Sequence, residues 1–211
     1  DQFLPVADRL KLSEEIDRWV LDIAGNQTME WLKQCREPFR IAVNVTRSTF
    51  TRPSFVATVK GMLERYDLPA NCLELEVADA LSVRSEQGRD NARKLQELGV
   101  SLALDNFGST GSSLIDLTTV GFDTIKIDRS FISTLSQRAD VTLLLGSLIA
   151  SAHGVGASIV AQGVETLEQV QILHGLNCDV AQGYYFYRPV EAAGVKVGVT
   201  SSLPFVPAET V

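Results

Sequence analysis

The 211-residue chain has no CxxC pair and no cluster of cysteine with histidine; its three cysteines, Cys35, Cys72 and Cys178, stand far apart. That spacing excludes a zinc ribbon and a disulfide framework and fits buried thiols in a reducing compartment. No stretch of this chain reads as a secretory leader and no uninterrupted apolar run reaches the ~20 residues needed to cross a bilayer, so any membrane tether is expected to lie outside this chain. The expectation is a cytoplasmic domain, either free or part of a larger membrane-associated protein. Neither a Walker A motif nor a GxGxxG after a strand occurs, which argues against a nucleotide-binding Rossmann unit. Basic residues are also in deficit. Nineteen Lys and Arg against 26 Asp and Glu leave a net charge of −7, which argues against nonspecific binding to nucleic acid or to an anionic membrane. A small anionic ligand stays open, since a metal or a local basic residue can reverse the local field. Both histidines, His153 and His174, fall in helical stretches away from the strand ends and read as structural.

What the chain does have is an ordinary globular composition, 45% apolar and 21% charged, at a length suited to one large domain. Helical and strand patterns alternate along it. Ile16, Trp19, Val20 and Ile23 share one helical face, with Ser13 as the expected N-cap. FRIAVNVT (39–46) reads as a strand, and 53–69 as a helix that stops before Pro69. CLELEVAD (72–79) reads as a strand, and 84–99 as a helix closed by Gly99. Strands follow at 100–107, 122–128, 157–163 and 179–185, separated by helices over 112–121, 140–156 and 166–177. The helix over 140–156 has Leu144, Leu145, Leu148, Ile149 and Ala152 among its apolar residues. The domain is expected over 1–199. The tail 200–211 lacks periodicity, contains two prolines and is expected to be loosely held.

Continuous apolar strands between helices mean a buried parallel sheet. Six strands are legible. A doubly wound sheet tolerates six, whereas a closed (β/α)8 barrel needs two more. The chain opens on DQFLPVADRL, already a loop and helix, so the two would precede Asp1.

Polar residues gather at the carboxyl ends of these strands. Asn44 ends the first, Glu76 and Asp79 the second, Asp105 and Asn106 the third. Lys126 and Asp128 end the fourth, Gln162 and Glu165 the fifth, and Gln182 the sixth. In a parallel barrel or open sheet this edge binds ligands. Each residue alone has a plain explanation: an Asn or Asp after a strand forms a turn, a Lys snorkels, and Glu165-Thr166 caps the next helix. Six strands in succession ending this way point to a shared site. Asn44, Glu76 and Asp105 offer hard oxygen donors suited to Mg²⁺ or Mn²⁺ and not to zinc. Lys126 can orient or deprotonate a water, or neutralise a phosphate. Two hard ions about 4 Å apart would suit in-line phosphodiester cleavage.

DQFLPVADRLKLSEEIDRWVL, VNVT, LELEVAD, ALDNFGSTGSSL, DTIKIDRSFI, VAQGVET and QGYYFYRPV together resemble the EAL domain family, the cyclic-di-GMP phosphodiesterases of bacteria. They occur in the family's order at about its spacing, from residue 1 to roughly 195. The resemblance implies a TIM-like (β/α)8 barrel with one antiparallel strand, incomplete at six of eight strands. It also implies hydrolysis of cyclic di-GMP to pGpG with two Mg²⁺ or Mn²⁺ ions. By position, Asn44, Glu76 and Asp105 match metal ligands, and Lys126 matches the lysine that contacts the catalytic water. Glu165 is grouped with it as catalytic. Asp79, which replaces the Glu of the family's TE pair, is assigned with Asp128 and Gln182 to ligand binding or loop support.

The departures from the family are as informative as the matches. DDFG reads DNFG, so Asn106 replaces an Asp, and AEGVE reads AQGVE, so Gln162 replaces a Glu. Both lost carboxylates match ligands of the second metal. A neutral amide is a much poorer ligand for a hard dication, so one metal site is expected to remain and the second to be lost. The tyrosine of the family's GTGYSS loop is missing from Gly108 to Ser113, and the EAL tripeptide would lie upstream of Asp1. Three readings follow. The first is a degenerate EAL domain that binds cyclic di-GMP or regulates, with little or no hydrolysis. The second is an active or weak phosphodiesterase. The third is a dimerisation or interaction scaffold with an empty site. A homodimer or a partner signalling domain is the expected protein contact.

Overall fold

The computed structural model describes residues 9–10, 12–34, 39–78, 80–108 and 120–195. Among them are helix α1 (Ser13–Leu32), strand β1 (Ile41–Val45), the short helix α2 (Arg47–Phe50), α3 (Phe55–Tyr66), β2 (Leu73–Val77), α4 (Glu86–Glu97) and β3 (Ser101–Phe107). After these come β4 (Thr124–Ile127), the short α5 (Arg129–Ile132), α6 (Ala139–Gly154), β5 (Ser158–Gln162), α7 (Leu167–Gly175) and β6 (Val180–Gln182). The expected helix over 112–121, Asp79, Cys35 and the tail 200–211 fall wholly or largely outside the described residues.

The six strands pair in chain order, β1 to β6, and every pairing is parallel. A doubly wound sheet reverses its strand order at a switch point; this one does not. The strands form a half-barrel, as expected from the sequence. The antiparallel strand implied by the resemblance is not among the six described.

Strand alternation sorts the side chains onto two faces. Val43, Val45, Leu73, Leu75, Val77, Leu102, Leu104, Ile125, Ile127 and Ile159 point outward and are almost completely buried. They form the core with the helices. The inner face is mostly polar or small: Asn44, Glu74, Glu76, Ser101, Ala103, Asp105, Thr124, Lys126 and Gln162, with Val160 beside Lys126.

Helix α1 buries a different face from the one its apolar residues suggest. Trp19 and Ile23 are 64% and 48% exposed, while Asp17, Leu21, Ala24, Gly25 and Thr28 are buried. Close packing explains the choice. A Cβ on Gly25 would lie 2.6 Å from Met62 Sδ of α3, so the helices meet where the side chain is smallest. Asp17 is buried because it accepts hydrogen bonds from the Thr46 amide (3.0 Å) and hydroxyl (2.6 Å), tying α1 to the end of β1. Ser13 is not the N-cap. Leu12 holds that position without a side-chain cap bond, and Ser13 is buried in the first turn.

Other boundaries shift for local reasons. Helix α3 ends at Asp67, in the left-handed conformation (φ 52°), with Leu68 N–H returning to Leu63 O; Pro69 follows two residues later. In α6, Leu144 is 57% exposed whereas Leu145, Leu148, Ile149 and Ala152 are buried. Strand β6 stops at Gln182 because Gly183 passes so close to the Val164 backbone that a Cβ would meet its oxygen at 2.1 Å. Tyr184 and Tyr185 therefore leave the sheet. Gly99 (φ +90°) does close α4 as expected, and Ser85 caps its start by accepting from Gly88 N–H at 3.0 Å.

Candidate functional site

The site is the polar layer at the carboxyl ends of β1 to β6. Asn44 lies beside Glu76 in the ladder, and Glu76 beside Ala103. Between Leu104 and Phe107 the β3–β4 register shifts: three steps along β3 match two along β4. The inserted position is a β-bulge with Asn106 at φ 52°, a conformation that asparagine tolerates better than most residues. In a regular strand Asp105 and Asn106 would point to opposite faces. The bulge lets Asn106 turn back, and its Nδ2 donates to Asp105 Oδ2 at 2.8 Å. From β5, Gln162 Nε2 donates to the other oxygen, Asp105 Oδ1, at 2.9 Å. Asp105 is buried, and both of its oxygens are held by amides.

Glu76 is answered differently. Lys126 crosses from β4 and its ammonium donates to Glu76 Oε1, with both side chains buried. Burial pushes the Glu76 carboxyl above the usual range, and Lys126 pulls it back only in part. One layer below, Glu74 accepts from Arg40 Nη1 at 3.1 Å and from Thr124 Oγ1 at 2.8 Å. This lower layer was missed in reading the sequence. The alternation in LELEV was the available signal, since it places Glu74 on the same face as Glu76.

The remaining sequence candidates spread out along the edge. Asp128 is the N-cap of α5, accepting from Ser130 N–H at 2.8 Å. Thr166, not Glu165, caps α7, in a capping box with Gln169. That leaves Glu165 half-exposed, with Arg129 Nη2 at 3.5 Å. Arg129 is a second cation at this edge that the sequence reading did not single out; a Cβ on Gly163 would lie 2.6 Å from its own Cβ. Asn44 and Gln182 are exposed at the two outer strands. His153 lies at the far end of the sheet, its Nε2 2.8 Å from Asp179 Oδ2, and takes no part in the layer.

The donor set as arranged does not fit a divalent metal. The Asp105 oxygens are taken by N–H donors and Glu76 by an ammonium. Among the described residues no group of three or more His, Cys, Asp or Glu is placed to hold an ion. What the layer can do is offer hydrogen bonds of both kinds from Asn44, Asn106, Gln162 and Gln182, flanked by Lys126 and Arg129.

The fold is a half-barrel of six parallel strands with a polar layer at the strand carboxyl ends. The chain belongs to the EAL domain family, which matches residues 1–189. It is 36% identical to the cyclic di-GMP phosphodiesterase NbdA of Pseudomonas aeruginosa, over 93% of this chain and 25% of NbdA. A solved PaMucR phosphodiesterase, in complex with c-di-GMP, is 34% identical and superposes with a TM-score of 0.84, over 90% of this chain and 77% of that one. The EAL domain of Mycobacterium smegmatis DcpA is 30% identical with a TM-score of 0.81, over 86% of this chain and 82% of that one. The chain spans about a quarter of the length of the first curated relatives it matches.

Proposed function

We propose that this EAL domain works in cyclic-di-GMP signalling as a binding or regulatory module with little or no hydrolysis. The observation that carries this reading is the pair of amide donors on Asp105, from Asn106 and Gln162. EAL phosphodiesterases depend on divalent metal ions. Without clamping ions, the attacking and leaving oxygens of a phosphodiester lose stabilisation worth several kcal/mol, which slows cleavage by orders of magnitude. Amides do not repel phosphate, and their NH₂ groups can donate to it. Recognition of a cyclic dinucleotide therefore outlasts its cleavage in this reading. The name of the NbdA relative and the c-di-GMP bound in the PaMucR structure support that ligand class.

The second reading, a weak phosphodiesterase, is favoured by the retention of Glu76, Asp105 and Lys126 in one buried layer. We also propose a cytoplasmic setting. Cys72 and Cys178 are free and buried, and burial pushes the Cys178 thiol up to about 11, so it stays protonated. No helix among the described residues is long and apolar enough to cross a membrane. Pairing with a second copy or with a partner signalling domain belongs to the same proposal.

The test is calorimetric titration of cyclic di-GMP into the protein in Mg²⁺ and then in EDTA, with analysis of the recovered nucleotide. Binding in both buffers with the ligand recovered intact is expected. Efficient conversion to pGpG in Mg²⁺ would sink the reading.

A further inference from the structure

We propose that Asn106 and Gln162 are a built-in substitute for a divalent cation, closing Asp105 to metal and holding the strand ends together without one. The first metal site is then lost along with the second. Among the described residues Asp105 has no ion-pair partner, unlike Glu74 and Glu76 on the neighbouring strand. A carboxylate removed from water needs strong hydrogen bonds in compensation. It receives one N–H on each oxygen, from two different strands. The Gln162 bond joins β3 to β5 over the intervening β4, a cross-tie of the kind a shared ion would make.

Each amide is nearly isosteric with the carboxylate it replaces relative to the family, so the layer keeps its shape while its charge changes. For a dication to reach Asp105, both amides have to turn their NH₂ groups away and present carbonyl oxygens. The ion would then gain one carboxylate charge where the family supplies three at the matching positions. Affinity for hard cations follows the charge count of the ligands. Lys126 adds to the exclusion, because its ammonium sits in the same layer and is committed to Glu76. The bulge is part of the device: only the left-handed turn at Asn106 brings that side chain onto its neighbour's carboxylate.

Metal exclusion does not rest on dinucleotide recognition, and the two fail separately. The test titrates Mn²⁺ into the full chain and reads the free ion by electron paramagnetic resonance, with thermal unfolding in Mn²⁺ and in EDTA. The native protein is expected to take up no Mn²⁺ at sub-millimolar concentration and to melt at the same temperature in both buffers. The double variant Asn106→Asp/Gln162→Glu is expected to bind Mn²⁺ tighter by about 100-fold or more and to melt higher in its presence. If the double variant does not fold, Gln162→Glu alone restores one carboxylate and is expected to show the same gain at about 10-fold. Sub-millimolar uptake by the native protein that disappears in Asp105→Asn overturns the proposal. So does a folded carboxylate variant that binds no better than the native chain. Adding cyclic di-GMP to the EDTA sample separates the two ideas: no metal uptake and no nucleotide binding removes the receptor reading and leaves metal exclusion standing.

Discussion

Glu76 and Asp105 stand on neighbouring strands, face the same inner layer and are almost equally buried, being only 5% and 9% exposed. Their charges are nevertheless answered by different chemistry. Glu76 has a cation, Lys126, and a carboxyl that burial still pushes upward. Asp105 has two neutral donors. The difference shows that two buried carboxylates in one layer can be compensated by different chemistry. The ion pair spans β2 to β4, whereas the amide bracket joins Asp105 of β3 to its own neighbour and to β5.

The largest effect is expected from breaking the Glu76 side. Lys126→Met leaves a buried carboxylate without its partner, at a cost of about 3–5 kcal/mol at neutral pH, read from chemical denaturation. The sign of the pH dependence follows from the raised carboxyl. The folded protein holds the Glu76 proton more tightly than the unfolded chain does. Its contribution to stability is therefore full below the ordinary carboxylate pKa and is lost as pH rises through the raised folded value. Removing Lys126 raises that value further, so the deficit of the variant should shrink in acid. A deficit that stays constant with pH would show that lost packing, not uncompensated charge, is responsible.

Breaking the Asp105 side is expected to cost less. Asp105→Asn removes the charge that both amides serve, and a loss of about 1.5–3 kcal/mol is expected. Denaturant unfolding measures it. A smaller loss follows from Asn106→Ala, which gives up the bond to Asp105 and leaves at φ 52° a residue that tolerates the left-handed region less well than asparagine does, for about 1–2 kcal/mol. Asn106→Gly gives up the same bond without the backbone penalty, so it should be the milder of the two. Equal losses would mean that the left-handed bulge is not strained for alanine. The smallest effect belongs to the lower layer. Arg40→Ala removes a half-exposed partner while Thr124 still holds Glu74, and less than about 1 kcal/mol is expected in a denaturant titration.

Several of these features were legible before the structure. The strands, their parallel pairing and the polar carboxyl edge follow from apolar runs broken by Asn44, Glu76, Asp105, Lys126, Gln162 and Gln182. Asp128 shows the limit of that reading: it stands at the edge yet caps a helix, because the exposed Ser130 N–H competes for the same oxygen, whereas the cap at Thr166 falls within the Glu165-Thr166 pair that the sequence offers for it. Helix α1 shows another limit. Trp19 is the largest apolar side chain on its helical face, but Gly25 against Met62 decides which side packs.

The sequence by itself determined the order of the six strands and the polar layer at their carboxyl ends, because strand alternation and chain order are local properties. Tertiary structure alone decided who answers each charge. Lys126 reaches Glu76 across 50 residues and Gln162 reaches Asp105 across 57. A hydrogen bond depends on angles and on distances of a few tenths of an ångström, and only the closed packing of β2, β3, β4 and β5 brings those atoms within range.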